Sequence, residues 1–355
     1  MAFENEMVEI LKDLIRFESV HSKIGEIEKC SLYIENFLEI NSISFEKIVH
    51  NGYPSILVTP KAKEADVIFM SHMDVVDGSK EMFNPYIDGD RLYGRGSVDD
   101  KYAIALSLML CKKYYRKNSG TEDLPFGILI TSDEEIGGEN CARKIVKELK
   151  TSFCVVLDGG NPEKIVIEEK GFLKVKLVSQ GKSAHGSRPW LGENAIDKLI
   201  LDYDKLKTLF IEKKEGNWNK TINLGIINAG SAHNQVPESA TGIFDLRFTE
   251  EDDVEELIDE ITKITDSEVT VEAIGPVFSG GQSPYLDKLL EISSSKTGTE
   301  HGASDARHIS EFGIKGVVWG AEGNKTQHSK DEHVEIPSIV KLYEIFDVFI
   351  QNFMK

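Results

Sequence analysis

Ligand-type residues recur at one kind of position in this chain. Ser71, His72, Met73 and Asp74 follow the apolar run Val67-Ile68-Phe69-Met70. Asp133, Glu134 and Glu135 follow closely on the run from Phe126 to Ile130. Asp158 follows the run from Phe153 to Leu157, and His328 lies a short loop beyond the run from Gly316 to Trp319. Short, continuous apolar runs rich in branched residues read as buried strands of a parallel sheet. Ligands bind beyond the carboxyl ends of such strands. Four strands would therefore deliver His72, Asp74, Glu134, Glu135, Asp158 and His328 to one place. A single strand-end Asp is ordinarily a turn or cap residue, and a single His a hydrogen-bonded core group. Convergence of four strand ends is what points to chemistry.

Carboxylates grouped in this way repel one another, so they need compensating positive charge or must take up protons. Arg95 and Lys101 are too few to supply that charge. Two His, three carboxylates and a water could instead hold two divalent cations. A His and carboxylate set without Cys suits zinc, with cobalt or manganese as alternatives. A fifth element, R-L-Y-G-R-G-S-V-D-D-K at 91–101, precedes a helical stretch. One of Asp99 and Asp100 suffices to cap that helix. The other is available as a ligand.

The elements that must position these residues are legible from periodicity. Helices are predicted at 5–17, 27–40, 102–117, 139–150, 193–212, 252–264, 284–296 and 338–354, and a hairpin-like pair of apolar stretches at 43–49 and 55–59. Between about 171 and 275 the order is strand 172–179, helix, strands 221–228 and 240–248, helix, strand 268–273. That β-α-β-β-α-β order predicts a small antiparallel sheet with two helices on one face, a ferredoxin-like α+β domain. The expected fold is α/β, with a three-layer catalytic domain of mostly parallel sheet formed by 1–170 and 276–355, and a second domain, 171–275, inserted in it.

Composition narrows the function. A length of 355 residues suggests about two domains. The chain holds 41 Lys and Arg against 60 Asp and Glu, a net charge of −19, which argues against a nucleic-acid partner and favours cationic ligands. Cys30, Cys111, Cys141 and Cys154 include no C-x-x-C pair, so neither a zinc ribbon nor a redox pair is expected. The amino terminus lacks the basic start and apolar stretch of a signal peptide. No run reaches the ~18 apolar residues of a membrane span. The expectation is a soluble cytoplasmic protein without a membrane partner, in which the sequons at Asn219 and Asn324 carry no meaning.

The chain resembles the di-zinc amidohydrolases, the family of acetylornithine deacetylase, succinyl-diaminopimelate desuccinylase, glutamate carboxypeptidase, aminoacylase and bacterial dipeptidases. The motifs are S-H-M-D-V-V at 71–76, G-R-G-S-V-D-D-K at 94–101, D-E-E-I-G-G at 133–138 and Q-H-S-K-D-E-H-V at 327–334, with S-A-H-G-S-R-P at 183–189 and N-Q-V-P at 234–237. The resemblance implies that His72 and Asp158 bind one metal, Glu135 and His328 a second, and that Asp99 bridges both. It makes Glu134 the general base, Asp74 the partner of the His72 imidazole, and the Asp99–Asp100 peptide cis. A metal-bridging hydroxide would attack an amide of an N-acyl amino acid or short peptide. His185 would stabilise the oxyanion from the inserted lid domain, usually across a homodimer joined through that lid. Asn234, Arg247 and Arg307 are candidates for the substrate carboxylate, with a strand-surface charge as the competing account of Arg247.

Two features depart from that pattern. Tyr102 stands where Gly commonly follows D-D-K, which would either narrow the pocket or alter helix packing. Position 158 is Asp rather than Glu, which leans toward deacetylases and dipeptidases, while the short lid leans away from the larger dipeptidases. The alternatives are a di-zinc aminopeptidase or dipeptidase, and a catalytically silent metabolite-binding relative. The inserted lid speaks against a simple aminopeptidase. The occupied ligand and base positions speak against silence.

Overall fold

In the computed structural model of the chain, which describes residues 2–118, 120–121, 123–210 and 218–353, the four apolar runs are strands of one sheet. They span Val67–His72, Gly127–Thr131, Phe153–Val156 and Lys315–Val318. Val67–His72 is central and parallel to two of them, pairing His72 with Thr131 and Met70 with Val156. Lys315–Val318 runs parallel to Phe153–Val156 on its far side. All four carboxyl ends therefore emerge at one edge.

Alternate side chains of these strands enter two different cores, which defines the layers. Val67 and Phe69 pack with Ile128, Val155 and the helices Ala2–Ile15, Lys101–Asn118 and Ile336–Phe353. Ile68 and Met70 pack with Leu129, Cys154, Val156 and the helices Ala142–Glu148 and Ala306–Glu311. Burial on both faces is why these strands lack the polar alternation of a half-exposed sheet.

Further strands extend the sheet to nine. Tyr53–Val58 and Glu46–His50 add one edge, and Lys164–Glu169, Phe278–Ser279 and Lys296–Glu300 the other. The first pair is the predicted hairpin, turned by Asn51-Gly52 with φ of 52° and 87°. A separate three-stranded sheet joins Tyr86–Asp88, Arg91–Tyr93 and His333–Glu335. Sequence patterning missed it because its strands are three residues long and Tyr86–Asp88 is exposed. It sets the loop after Tyr93 beside the loop before His333, through the pair Tyr93 and His333.

By contact the chain divides into two units. The first comprises Met1–Glu168, Phe278–Glu300 and Ser304–Lys355, and the second Glu169–Val277 with His301–Ala303. In the second, strands run in the order Thr221–Ala229, Ser239–Phe248, Gly171–Gln180, Glu268–Gly275, every neighbour antiparallel. The helices Ala195–Lys207 and Val254–Ile264 share a core with Leu173, Val175, Leu177 and Phe244. Asn194 and Asp253 cap these helices by accepting backbone N–H groups of the first turn. Residues 211–212 of the predicted helix at 193–212, and residue 354 of the helix at 338–354, lie outside the described residues.

Candidate metal centre

His72 closes its strand and is buried. Its Nδ1 lies 2.9 Å from the carbonyl oxygen of Asp74 and 3.5 Å from Asp74 Oδ1. A carbonyl only accepts, so Nδ1 carries hydrogen, and in the neutral ring Nε2 offers a lone pair. Nε2 faces Asp99 Oδ1 at 3.1 Å and Asp158 Oδ2 at 3.8 Å. Asp74 thus meets the imidazole with both its carboxylate and its backbone carbonyl, the shorter contact being to the backbone. The Asp74 carboxylate accepts the N–H groups of Glu134 (3.3 Å) and Glu135 (2.9 Å). Asp74 thus positions the single turn Glu134–Ile136 that carries both glutamates.

That turn sends the two side chains different ways. Glu134 offers an oxygen to a group with His72 and Asp158. Glu135 offers one to a group with Asp99 and His328, and its Oε1 also accepts the N–H of Val76 at 3.1 Å. His328 Nε2 lies 3.1 Å from Asp99 Oδ2 and 3.3 Å from Glu135 Oε2. Asp99 therefore presents one oxygen to each histidine.

The loop carrying Asp99 is held by residues that sequence reasoning left without a role. Glu332 is buried, is ion-paired with the buried Arg95, and accepts the N–H of Gly96 at 2.9 Å and of Val98 at 3.4 Å. It fastens the loop preceding Asp99 to the loop that carries His328. Gly96 sits at φ 81°, and a Cβ there would stand 2.8 Å from Val75 Cγ1. The Asp99–Asp100 peptide is cis. The Asp100 carboxylate accepts the N–H of His72 at 3.2 Å, and burial pushes that carboxyl well above the usual range. Lys101, weighed above as a compensating cation, turns away: its Nζ donates to Leu14 O (3.0 Å) and Phe17 O (2.9 Å) at the end of helix Ala2–Ile15. Tyr102 neither lines the site nor only packs. Its hydroxyl donates to Leu157 O and accepts the N–H of Ala321 at 3.0 Å, linking the strand end before Asp158 to the loop that leads to His328.

Two more buried carboxylates support the glutamate turn. Asp133 accepts the N–H groups of Asn140 (2.7 Å), Cys141 (2.8 Å) and Ala142 (3.1 Å), which caps helix Ala142–Glu148. Asp305 accepts the Thr131 hydroxyl at 3.2 Å and lies 3.6 Å from Arg307 Nη2. Arg307 is buried, and its Nη1 lies 3.7 Å from Glu134 Oε1. Burial raises Asp305 to about 7 against the pull of Arg307. A D-E-E run and an S-D-A-R run contain these residues, but burial of a charge cannot be read from either.

Charge at the centre is out of balance. Burial, reinforced by Asp158, pushes the Glu134 carboxyl well above its usual range, and burial raises Glu135. Hydrogen bonds to Asp99 and Glu135 raise His328 to about 10. A carboxylate cluster that must otherwise borrow protons suits cations. These imidazole and carboxylate atoms stand 3.1–3.8 Å apart, a spacing compatible with donors each ~2.0–2.2 Å from a shared ion.

Three predicted site residues lie in the second unit. His185 pairs with Gln235 across the short ladder Ala184–His185 and Gln235–Val236, so Asn234 is its near neighbour. A Cβ at Gly186 would stand 2.8 Å from Asn234 C, so the approach of these segments requires glycine. Ser187 N–H donates to His185 Nδ1 at 3.1 Å, which leaves the ring hydrogen on Nε2. Arg247 donates to both oxygens of Asp245, at 2.9 and 3.3 Å, and lies over the Phe172 ring. One edge of its guanidinium is thus engaged within its own strand.

A three-layer α/β unit with a His and carboxylate cluster at the carboxyl ends of its parallel strands is the framework of a metal-dependent hydrolase. Residues 68–352 match the profile of the peptidase family M20/M25/M40, and the chain belongs to that family. It is 28% identical to the succinyl-diaminopimelate desuccinylase of Wolbachia pipientis over 387 residues, 98% of this chain and 93% of the relative. It is 25% identical over 407 residues to an uncharacterised metallohydrolase of Methanocaldococcus jannaschii, 96% and 98% of the two chains. The fold matches that of an M20 metallo-carboxypeptidase from Sulfolobus solfataricus with a TM-score of 0.79, at 18% identity over 98% of each chain. The chain is a metal-dependent hydrolase of amide bonds in acyl amino acids or peptides. No helix among the described residues is long and apolar enough to cross a membrane.

Proposed function

We propose that the protein cleaves the amide of an N-acyl amino acid or short peptide with two divalent ions, zinc foremost and cobalt or manganese as alternatives. His72 and Asp158 would hold one ion, Glu135 and His328 the other, and Asp99 both. The donor set fits: it contains imidazole and carboxylate and no thiolate, with Asp99, Glu135 and His328 atoms converging within 4.8 Å and His72 Nε2 3.1 Å from Asp99 and 3.8 Å from Asp158. Bound ions would acidify water and polarise the amide carbonyl. Glu134 takes the water proton at a carboxylate oxygen and later returns it to the leaving nitrogen. The observation that carries this reading is the Asp74 carboxylate, which binds the backbone of two consecutive glutamates and so directs one to each cluster.

Arg307 would receive the substrate carboxylate, and Asn234 would assist from the second unit. His185, with hydrogen on Nε2, has the donor needed by a tetrahedral oxyanion. The second unit would act as lid and as the joint of a homodimer, with His185 serving the partner's site. The edge strand Thr221–Ala229, whose Ile226 and Ile227 are half exposed, supports that joint. Four free, buried cysteines fit a reducing compartment, and we place the enzyme in the cytoplasm. The test is a hydrolysis screen of acetyl-, succinyl- and formyl-amino acids beside dipeptides, with zinc, cobalt and manganese each supplied. Failure of every amide with every ion would overturn the reading.

A further inference from the structure

The metal centre is flanked by charges of opposite sign. On the Glu134 side stands the buried guanidinium of Arg307, 3.7 Å away. On the Glu135 side opens a cavity of about 430 Å³ lined by His21, Val76, Asp77, Glu135 and His328. Among the described residues no Lys or Arg lines it, and Asp77 is its one carboxylate beyond the proposed metal ligands.

Asp77 is anchored at both ends of its peptide. The preceding Val76 donates its N–H to Glu135 Oε1 at 3.1 Å, and the Asp77 carbonyl accepts from Arg95 Nη2 at 3.2 Å. The exposed side chain therefore starts one residue from a group bound to the second cluster. Two of the nearby cations are committed elsewhere. Arg95 is paired with Glu332, and Lys23, which also feels the charge of Asp77, is paired with Glu18. Asp99, Glu134, Glu135 and Asp158 offset the charge of two divalent ions, so among the lining residues the remaining carboxylate charge is that of Asp77.

We propose that Asp77 is a specificity-determining residue: it selects substrates whose acyl side carries a cationic amine and disfavours those whose acyl side ends in a carboxylate. With Arg307 at the other end, the preferred substrate is a zwitterion, a short peptide with a free amino terminus. This rests on the amide-hydrolase reading above. It separates the chain from desuccinylase chemistry, in which the acyl group is anionic.

The test compares glycyl, N-acetyl and N-succinyl derivatives of leucine, glutamate and lysine with the zinc-loaded full chain at fixed low salt. Each kcat/KM is taken relative to the N-acetyl compound, so a general loss of activity cancels. The wild type should rank glycyl first and succinyl last. Asp77→Asn should narrow the glycyl-to-succinyl ratio by about fivefold, the scale of an exposed charge pair. Asp77→Lys should reverse the ranking, and added salt should weaken both effects. Turnover with succinyl preferred, or with a ratio that neither variant moves, overturns the role of Asp77 and leaves amide hydrolysis standing. No turnover of any compound overturns both.

Discussion

Asp99 stands between His72 and His328, with Oδ1 3.1 Å from the Nε2 of the first and Oδ2 3.1 Å from the Nε2 of the second. A carboxylate shared in this way couples two clusters through one side chain. The wild type should bind two divalent ions per chain, and Asp99→Ala should weaken both together. Calorimetric titration of the metal-free protein measures this. Loss of one ion with the other intact would remove the bridging role. Metal addition should also raise the melting temperature, because it relieves the repulsion of the empty carboxylates.

Glu134 and Glu135 are adjacent, and only one is expected to be a ligand. Glu134→Gln should keep both ions and lower kcat by about 10²–10⁴-fold, the scale of a lost general base. Metal content by elemental analysis is the deciding readout. A variant that loses an ion would make Glu134 the ligand.

Glu332 ties two loops that deliver Asp99 and His328. Glu332→Ala leaves Arg95 buried without its partner and should cost about 3–5 kcal/mol of unfolding free energy. Glu332→Gln keeps the shape and should weaken metal binding by roughly 10–100-fold, as with other groups that orient ligands. Urea unfolding and chelator competition measure the two effects. Unchanged metal affinity in both variants would reduce the pair to a purely structural role.

His308 is held to about 4 by burial and by the neighbouring Arg307. The unfolded chain protonates this ring near ~6.5. Between these values the unfolded state binds more protons, so stability rises with pH and is lost as pH falls from about 6.5 toward 4. The expected loss is about 3 kcal/mol. His308→Gln should flatten that part of the curve, read as the difference in urea unfolding between neutral and mildly acidic buffer. An unchanged slope would mean that the ring takes up its proton in the folded state.

Ser187 N–H fixes the His185 tautomer with hydrogen on Nε2. His185→Ala should lower turnover by roughly a hundred- to a thousand-fold with metal content unchanged. Mixing His185→Ala with Glu134→Ala under subunit exchange discriminates the geometry. If His185 acts across a dimer, one site of each heterodimer regains both groups and activity returns. An inactive mixture despite exchange would make the histidine act within its own chain.

The sequence by itself determined the strands and the ends at which ligands gather. Val67–Met70 and Phe153–Leu157 are buried on both faces, so their patterning is continuous and their termini sharp. His72, Glu134, Glu135 and Asp158 follow those termini within a few residues, where the chain must leave the sheet. What only the tertiary structure decided are pairings between distant segments. The resemblance makes Asp74 the partner of an imidazole, and the structure adds that its carboxylate serves the amides of Glu134 and Glu135, sixty and sixty-one residues on. Arg247 reads equally as a carboxylate contact or a strand-surface charge, and only the structure shows it bonded to Asp245, two residues away on the same strand face. Arg95 reads only as a cation near the carboxylates and Glu332 carries no role, because local sequence carries no record of which charges are desolvated together. Side-chain type and backbone periodicity are local properties, whereas burial and hydrogen-bond partnership depend on what the rest of the chain brings alongside.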